Sequence, residues 1–304
     1  MNKQENKPKA VLPTGVIALD LALGTGGLPL GEIIEIYGQT SSGKTTLALH
    51  TTAEAQALGL NCLYLDLEGG ITLTYARRCG VSPEKTLFGS PEHGEDALEL
   101  AYLALKGGSV RLVVLDTVAA LCPRRHHSHP AATPAGRELN ELLIPALRRL
   151  KRICREQQAS LICLNQLRSR LKKGYGHPET SPGGMVLKIQ AAVRIRLDRM
   201  PAPNQAEHSS GERILARIRK NQRGVNHSAF FNIVYNMGID REKELISLGL
   251  KEKIIHRVGS QIMYGERLLG RDPAEIQDLL RRDRKLRQTL RSMLYQKMLS
   301  SQQR

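Results

Sequence analysis

The segment from Gly38 to Thr45 reads GQTSSGKT and has the residue types and spacing of a phosphate-binding loop. It follows a β-rich apolar segment and precedes a helical pattern, which is the context that such a loop requires. Gly38 and Gly43 would let successive backbone N–H groups face an anion, and the start of the helix adds partial positive charge. Lys44 would reach the β- and γ-phosphates, and the Thr45 hydroxyl would ligate Mg²⁺. The predicted nucleotide-binding residues are Gly38, Gln39, Thr40, Ser41, Ser42, Gly43, Lys44, Thr45 and Thr46. The alternative is a glycine-bearing turn before an ordinary helix.

Acidic residues follow two apolar segments and would complete the chemistry of a bound nucleotide. Asp116 ends the run of residues 112–115, and a carboxylate at the end of a central strand is where Mg²⁺ coordination would require it. Glu68 follows the segment 62–66 and could polarise the water that attacks the γ-phosphate. Asp66 is a rival for that role, although its place inside the segment also suits a structural residue.

Gln166 offers an amide group at the end of another apolar segment, residues 160–164. Because parallel strands end at the same edge of a sheet, this amide would lie near the nucleotide. It could sense the γ-phosphate and pass its state to the loop that follows. A polar group that simply ends the strand is the alternative.

The segments that carry these residues alternate between short β-rich runs and helical patterns. Such alternation predicts βαβ units and a mainly parallel sheet, so we expect an α/β fold. Strands are predicted over residues 32–37, 62–66, 110–116, 160–166, 191–197, 212–219 and 229–235. Helices are predicted over residues 44–57, 72–79, 94–106 and 137–157.

The same patterns divide the chain into three parts. Residues 1–10 are polar and predicted to be disordered, residues 11–238 form the predicted core, and residues 239–304 form a small, basic C-terminal domain of α+β type. Residues 124–136 and 167–184 lack periodicity, and we predict two long loops there. Loops of this length inside a compact domain are usually functional or disordered.

Length and composition exclude several classes of protein. The 304 residues suffice for a large core, and 41% hydrophobic with 24% charged residues is ordinary for a folded globular protein. No apolar run approaches the ~18 residues of a membrane span, and the N-terminus lacks the apolar stretch of a signal peptide. Five scattered cysteines form no CxxC pair, which favours a reducing, cytoplasmic compartment over a disulfide scaffold.

The net charge of +16 is concentrated in two windows. Residues 124–173 hold 12 Lys/Arg against 3 Asp/Glu, and residues 241–304 hold 15 against 8. These windows account for the whole net charge, which indicates a polyanionic partner, either nucleic acid or an anionic membrane surface. Solvated helix faces are the alternative.

Two further patterns lie within these windows. His126, His127 and His129 could bind a transition metal adventitiously, but no Cys or carboxylate stands at ligand spacing, so extra phosphate contacts at lower pH are the favoured interpretation. Residues 278–298 have the spacing of a basic amphipathic helix. Such a helix could meet a membrane surface or a partner, or its apolar stripe could close the small domain while its basic face meets DNA.

Five stretches of the chain resemble the bacterial RecA recombinase family. They are LPTGVIALDLALGTGGLPLGEIIEIYGQTSSGKTTL (12–47), LYLDLEGGITLTYARRCGV (63–81), VVLDTVAALCP (113–123), LNQLRSRLKKGYGHPETSPGGMVLK (164–188) and LISLGLKEKIIHRVGSQIMYGERLLG (245–270). The resemblance implies a RecA-type ATPase core with ATP and Mg²⁺ as its cofactors. Lys44 and Thr45 would then bind phosphate and Mg²⁺, Asp116 would support the metal, Glu68 would activate the water, and Tyr75 would stack on adenine.

The resemblance also implies that the protein acts on DNA. Residues 124–136 and 167–184 would be the two DNA-binding loops, and Gln166 would couple ATP to the second of them. The implied DNA-binding residues are Arg168, Arg170, Lys172, Lys173, Tyr175, Gly183 and Gly184. Single-stranded DNA and also duplex DNA would be partners, in a homo-oligomer or filament that holds ATP between subunits. Lys220 would reach the ATP of a neighbouring subunit.

The sequence departs from the family pattern at several places. About ten residues precede the core where the family has a polymerisation module, so we expect filaments to need other surfaces. The second of two interface lysines is Gln222, which should slow hydrolysis unless the adjacent Arg223 substitutes for it. Thr72 replaces an aspartate near adenine, which would loosen base specificity.

Three functions follow from these observations. The favoured one is a DNA-dependent ATPase that pairs and exchanges strands in recombination and repair. The second is a related protein of low turnover that regulates a full-length recombinase of the family. The third is another motor of the same fold, such as a ring helicase, against which the PET and GG elements of residues 164–188 argue.

Overall fold

A computed structural model describes residues 10–124, 136–169, 179–201 and 211–302. The strands are β1 (Val11–Leu12), β2 (Leu28–Pro29), β3 (Ile33–Gly38), β4 (Asn61–Asp66), β5 (Thr86–Gly89), β6 (Val110–Asp116), β7 (Ser160–Gln166), β8 (Arg168–Ser169), β9 (Glu179–Thr180), β10 (Val193–Met200), β11 (Gly211–Asn221), β12 (Ser228–Val234), β13 (Gly238–Ile239), β14 (His256–Val258), β15 (Gln261–Tyr264) and β16 (Arg267–Gly270). The α-helices are α1 (Ile17–Ala22), α2 (Lys44–Ala57), α3 (Leu73–Arg78), α4 (Gly94–Lys106), α5 (Gly136–Gln157), α6 (Gly184–Gln190), α7 (Arg241–Lys251), α8 (Pro273–Arg282) and α9 (Arg284–Gln302). Short 3₁₀ helices span Pro83–Lys85 and Val118–Ala120.

Nine of the described strands form one central sheet in the order β13-β12-β11-β10-β3-β7-β6-β4-β5. Neighbours from β10 to β5 are parallel, whereas β10 to β13 pair antiparallel. The inner strands are apolar on both faces because each face is covered: Ile34 and Ile36 enter one apolar cluster and Ile33 enters another. The expected α/β fold with a mainly parallel sheet is confirmed.

Four elements have the predicted bounds, namely β6, β7, α2 and α4. The other predicted strands and helices of the core shift by one to three residues at their ends. The short edge strand β5, which is parallel to β4, was not predicted. Its Leu87 side chain is 62% exposed, so the apolar residues of this segment do not all mark a buried face.

The flanks of the second predicted loop pair with each other. Arg168 lies opposite Thr180, and Ser169 lies opposite Glu179, in an antiparallel ladder. The sequence had indicated irregular structure throughout residues 167–184, but α6 already begins at Gly184. Residues 125–135 and 170–178 lie outside the described residues. The first of these ranges is most of the first predicted loop and contains its three histidines.

The C-terminal region packs against the core through α1. Its own elements are α7, the three-stranded antiparallel sheet β14-β15-β16, α8 and α9. Their apolar cluster also contains Ile17 and Leu21 of α1. The side chain of Glu244 in α7 accepts hydrogen bonds from the backbone N–H groups of Ile17 and Ala18, at 3.0 and 2.8 Å. It thereby caps α1, whose first N–H groups have no intrahelical partner.

The predicted helix over residues 278–298 is two helices in the structure. Asp283 leaves the helical conformation between them, and its carboxylate accepts a hydrogen bond from the N–H of Leu286 at 2.9 Å, which caps α9. Leu286, Leu290 and Leu294 of α9 are buried in the C-terminal cluster, so the apolar stripe closes this region. Within the part of the chain that the structure describes, no helix is long and apolar enough to cross a membrane.

Candidate active site

The loop between β3 and α2 leaves no room for side chains at two of its glycines. Gly43 has φ 85°, and a Cβ atom there would lie 2.4 Å from Ile233 Cδ1. A Cβ atom on Gly38 would lie 2.3 Å from the carbonyl oxygen of Leu197 on β10. The sheet and the loop therefore approach each other as closely as glycine allows.

The start of α2 presents hydrogen-bond donors that have no partner in the described part of the chain. Gly43 is the N-cap residue and supplies no side-chain cap, so the first N–H groups of the helix have no intrahelical acceptor. The Ser42 hydroxyl oxygen is buried and has no hydrogen-bond partner among the residues that the structure describes. Such a helix N-terminus is an anion site, and phosphate oxygens would satisfy these donors.

Lys44 folds back onto the loop. Its Nζ donates to the carbonyl oxygens of Gln39 at 2.8 Å and of Gly38 at 3.3 Å. Burial lowers the pKa of Lys44, whereas the charges of Asp116 and Glu68 act in the opposite direction. The ammonium group can exchange neutral carbonyl partners for phosphate oxygens, which bind a cation more strongly.

Asp116 ends β6 beside the phosphate loop, as the sequence indicated. Its Oδ2 atom accepts hydrogen bonds from the hydroxyls of Thr45 and Tyr64, each at 2.8 Å. Burial raises the pKa of Asp116 to about 6 despite these two donors. A cation beside this carboxylate would offset the burial of its charge.

Glu68 and Asp66 have different surroundings. Glu68 lines the cleft, and its Oε1 accepts a hydrogen bond from the Thr117 hydroxyl at 2.9 Å. Asp66 holds the loop after β4, because its two carboxylate oxygens accept from the N–H groups of Gly69 and Ile71, each at 2.9 Å. The geometry therefore favours Glu68 as the residue that meets a water molecule.

The phosphate loop, the acidic residues and β12 enclose a cleft of about 370 Å³. It is lined by Thr40, Ser41, Ser42, Gly43, Lys44, Thr45, Thr46, Glu68, Tyr75, Asp116, Thr117, Gln166, Glu212, Ile214, Ile233, Val234, Tyr235 and Asn236. The structure thus brings together most of the residues that the sequence assigned to nucleotide binding and hydrolysis. Gly38 and Gln39 line no part of it, but their carbonyl groups hold Lys44.

Tyr75 lies at one side of this cleft. Its hydroxyl shares a hydrogen bond of 2.7 Å with Thr46, and burial raises its pKa to about 12. The cleft is also lined by Tyr235 and Asn236, which were not predicted from the sequence. They follow β12 directly and look like the end of a strand, so no local signal marks them.

Gln166 joins the cleft to the strand that leads into the second loop. Its side-chain amide donates to the Thr40 hydroxyl in the phosphate loop. The neighbouring Asn165 is fully buried; its amide donates to the carbonyl oxygen of Pro182 at 2.9 Å, and its own carbonyl oxygen accepts from the N–H of Gln166. One end of β7 therefore contacts both the phosphate loop and the far flank of the second loop.

The predicted DNA-binding residues are placed only in part. Arg168 lies in β8, whereas Arg170, Lys172, Lys173 and Tyr175 lie outside the described residues. Gly183 is the left-handed N-cap of α6, and a Cβ atom there would lie 2.4 Å from Leu143 on α5. A Cβ atom on Gly184 would lie 2.3 Å from the Ser181 hydroxyl oxygen. Both glycines thus have a packing role at the end of the loop.

Lys220 and Arg223 lie away from the cleft of their own chain. Lys220 Nζ donates to the carbonyl oxygens of Lys188 and Ile189 at the C-terminal end of α6. Arg223 donates to the buried Glu32 at 2.8 Å, so its guanidinium group is engaged within the chain. This contact argues against Arg223 as a substitute for the missing lysine at position 222.

The residues of the cleft fit a nucleotide with Mg²⁺. The unpartnered Ser42 hydroxyl, the glycine cradle and the Thr45–Asp116 pair supply a phosphate site and the oxygen ligands that Mg²⁺ prefers. No cluster of three His, Cys, Asp or Glu side chains that could hold a metal without a nucleotide occurs among the residues that the structure describes. The fold and the site define the class of phosphate-loop NTPases.

Comparison with known proteins narrows this class. A family model described as the RecA N-terminal domain matches residues 1–240. A relative named Protein RecA from Desulfovibrio desulfuricans is 41% identical over 273 residues, which cover 89% of this chain and 76% of the relative. Proteins of the same name from Solidesulfovibrio magneticus and Helicobacter pylori are 38% and 39% identical, covering 93% and 94% of this chain and 80% and 82% of the relatives.

The chain belongs to the RecA family, the family of ATP-dependent recombinases that bind single-stranded DNA. The resemblance that the motifs indicated is therefore confirmed. Membership implies DNA-dependent ATP hydrolysis and a role in recombination, DNA repair and the SOS response.

Proposed function

We propose that the cleft binds ATP with Mg²⁺ and hydrolyses it when the protein is bound to single-stranded DNA, so that the chain pairs and exchanges DNA strands. The observation that carries this proposal is that one cleft collects Lys44, Thr45, Asp116 and Glu68 beside Gln166. The strand of Gln166 continues directly into the basic second loop.

The phosphate-loop and acidic residues of the cleft have distinct chemical roles in this proposal. The N–H groups at the start of α2 and Lys44 would bind the β- and γ-phosphates, while Thr45 and Asp116 would hold Mg²⁺. The metal would neutralise phosphate charge when bound. Glu68 would accept a proton from the attacking water, and its hydrogen bond from Thr117 would orient the carboxylate.

DNA binding is assigned to the basic loops. Six of the 12 Lys/Arg of the 124–173 window lie in the two loops, namely Arg124, Arg125, Arg168, Arg170, Lys172 and Lys173. These six would contact phosphates, with Tyr175 as the aromatic residue of the second loop. We also infer that the protein binds duplex DNA and assembles into a homo-oligomer that holds ATP between subunits. We further infer a cytoplasmic location, because the five cysteines are all free in the structure, as is usual in a reducing compartment.

The rate of turnover separates this proposal from a regulatory role. Gln222 cannot neutralise developing phosphate charge, and Arg223 is held by Glu32, so hydrolysis should be slow for this type of enzyme. Slow hydrolysis that still rises with DNA would fit a recombinase. Nucleotide binding without any DNA-stimulated hydrolysis would fit a regulator of another recombinase.

The direct test is the Glu68→Gln variant. Gln keeps an oxygen that can accept from Thr117 but cannot take a proton, so DNA-stimulated hydrolysis should fall by about 100-fold or more while ATP binding persists. Steady-state phosphate release and equilibrium binding of a fluorescent ATP analogue measure the two quantities.

The matched control is Glu84→Gln, which changes an exposed glutamate that pairs with Arg77 and does not line the cleft. It should leave both measurements unchanged. Hydrolysis in Glu68→Gln at the unmodified rate would show that another group activates the water.

A further inference from the structure

Tyr64 places a single hydroxyl group inside the apolar core next to the cleft. Its side chain is fully buried in β4, two residues before Asp66. Its ring packs beside that of Phe88 on the edge strand β5, with ring centroids 5.8 Å apart. A buried tyrosine hydroxyl needs a hydrogen-bond partner, and the position of this ring determines which partner it can reach.

The partner is Asp116 on the neighbouring strand. The β4–β6 register pairs Tyr64 with Val114 and Asp66 with Asp116, so the Tyr64 side chain reaches diagonally toward the end of β6. Its hydroxyl donates to Asp116 Oδ2 at 2.8 Å.

Both hydroxyl donors use the same carboxylate oxygen. Thr45 donates to Asp116 Oδ2 at 2.8 Å, and no hydrogen bond to Oδ1 occurs among the described residues. Two donors therefore fix one oxygen and leave the other without a protein donor. The Thr45 oxygen also keeps a lone pair while its proton is donated, so it can still serve as a metal ligand.

We propose that Tyr64 is a positioning residue of the magnesium site. Its hydroxyl holds the Asp116 carboxylate so that one oxygen is directed to Thr45 and the other is left for the metal and its water shell. Phenylalanine would fill the same apolar space, so the hydroxyl is not needed for packing against Phe88. Partners that orient a metal-binding carboxylate contribute strongly to metal affinity. This inference rests on the proposed function, because it assigns Tyr64 to the Mg²⁺–ATP site.

The test is a Mg²⁺ titration of ATP-analogue binding by the unmodified chain and by Tyr64→Phe. The variant should need about 10-fold more Mg²⁺ for half-maximal binding, with unchanged affinity for the analogue in EDTA. In an Asp116→Asn background, Tyr64→Phe should add nothing, because the two groups act through one hydrogen bond.

Tyr295→Phe is the matched control. It removes the hydroxyl of a partly buried tyrosine in the C-terminal region that donates to Asp20 of α1, so it loses the same kind of bond without touching the cleft. It should lower the unfolding midpoint like Tyr64→Phe but leave the Mg²⁺ requirement unchanged.

Two outcomes would overturn the role of Tyr64: an unaltered Mg²⁺ requirement in folded Tyr64→Phe, or an equal increase in both tyrosine variants. If the unmodified chain binds the ATP analogue equally well with and without Mg²⁺, the metal site of the proposed function would be overturned, and with it this inference.

Discussion

Glycine at position 43 is required by space as well as by backbone conformation. Its φ of 85° is unfavourable for other residues, and Ile233 of β12 occupies the place where a Cβ atom would lie. Gly59 provides a comparison, because its φ is 77° but nothing lies within 4 Å of its Cβ position. Substitution at the two positions therefore distinguishes the energetic cost of backbone strain from the cost of a steric clash.

We predict that Gly43→Ala loses nucleotide affinity and that Gly59→Ala retains it. Gly59→Ala should lower the free energy of unfolding by about 1 kcal/mol through backbone strain. Gly43→Ala should cost about 2–4 kcal/mol, because Ile233 must also move. Chemical denaturation and ATP-analogue binding measure these effects, and normal binding by Gly43→Ala would show that the loop tolerates a wider path than the structure has.

The sequence could identify the phosphate-loop and acidic residues of the cleft but not the partners of several charged side chains. The GQTSSGKT motif is local, so its position at the start of α2 follows from eight consecutive residues. The contact of Arg223 with Glu32 joins residues 191 positions apart, and no local pattern reports it. The same holds for Tyr64 and Asp116, which only the register of β4 and β6 brings together.

At the scale of elements, α1 and α9 meet through a buried carboxylate. Asp20 of α1 is fully buried; it accepts from the N–H of Thr14 at 2.8 Å and from the hydroxyl of Tyr295 in α9. Burial raises the pKa of Asp20 to about 7, although both hydrogen bonds and the charge of Arg291 lower it. The docking of α9 on α1 therefore depends on the protonation of this group.

This pKa gives stability a defined pH dependence. In the unfolded chain the carboxyl pKa is about 4, so between that pH and about 7 the folded state binds more protons. The contribution of Asp20 is full below pH 4 and is lost as the pH rises toward 7, by up to about 1.4 kcal/mol per pH unit.

Asp20→Asn should remove this dependence. The difference in free energy of unfolding between the unmodified chain and the variant should therefore decline from pH 5 to pH 7 and then become constant. Denaturant titrations at a series of pH values measure it. Asp278→Asn, which changes an exposed aspartate in α8, should follow the unmodified chain. A difference that is constant with pH would mean that Asp20 is ionised throughout.

Elements with strong periodicity were predictable, and weakly patterned ones were not. The bounds of β6, β7, α2 and α4 follow from the sequence because their apolar runs end at clear polar or glycine signals. The edge strand β5 has an exposed Leu87 and is formed by pairing with β4, which is a tertiary contact. The break at Asp283 was missed because the helical spacing continues across it.

At the scale of the molecule, α2 connects the cleft to the C-terminal region. Glu54, near the end of α2, accepts hydrogen bonds from Arg241 of α7 at 2.9 Å and from Arg291 of α9 at 2.7 Å. The same helix begins at Lys44 in the phosphate loop. A single helix therefore has the phosphate site at one end and the anchor of the basic C-terminal region at the other.

Strand β7 makes the corresponding connection to the second loop. Gln166 contacts Thr40, while Asn165 holds Pro182 near the far end of the loop, so both ends of residues 167–184 are tied to the end of β7 beside the nucleotide cleft. Four basic residues lie in this loop, and the net charge of the chain is concentrated in residues 124–173 and in the C-terminal region. Nucleotide and DNA are thus expected to influence each other's binding, which is a reciprocal coupling.

The most direct test of this account is the rate of ATP hydrolysis by the purified chain with and without single-stranded DNA. We predict that DNA raises the rate by about 10-fold or more, that Gln166→Ala loses this stimulation, and that Gln261→Ala in the C-terminal sheet keeps it. Equal hydrolysis with and without DNA by the unmodified chain would contradict the coupling of the cleft to DNA and the proposed function.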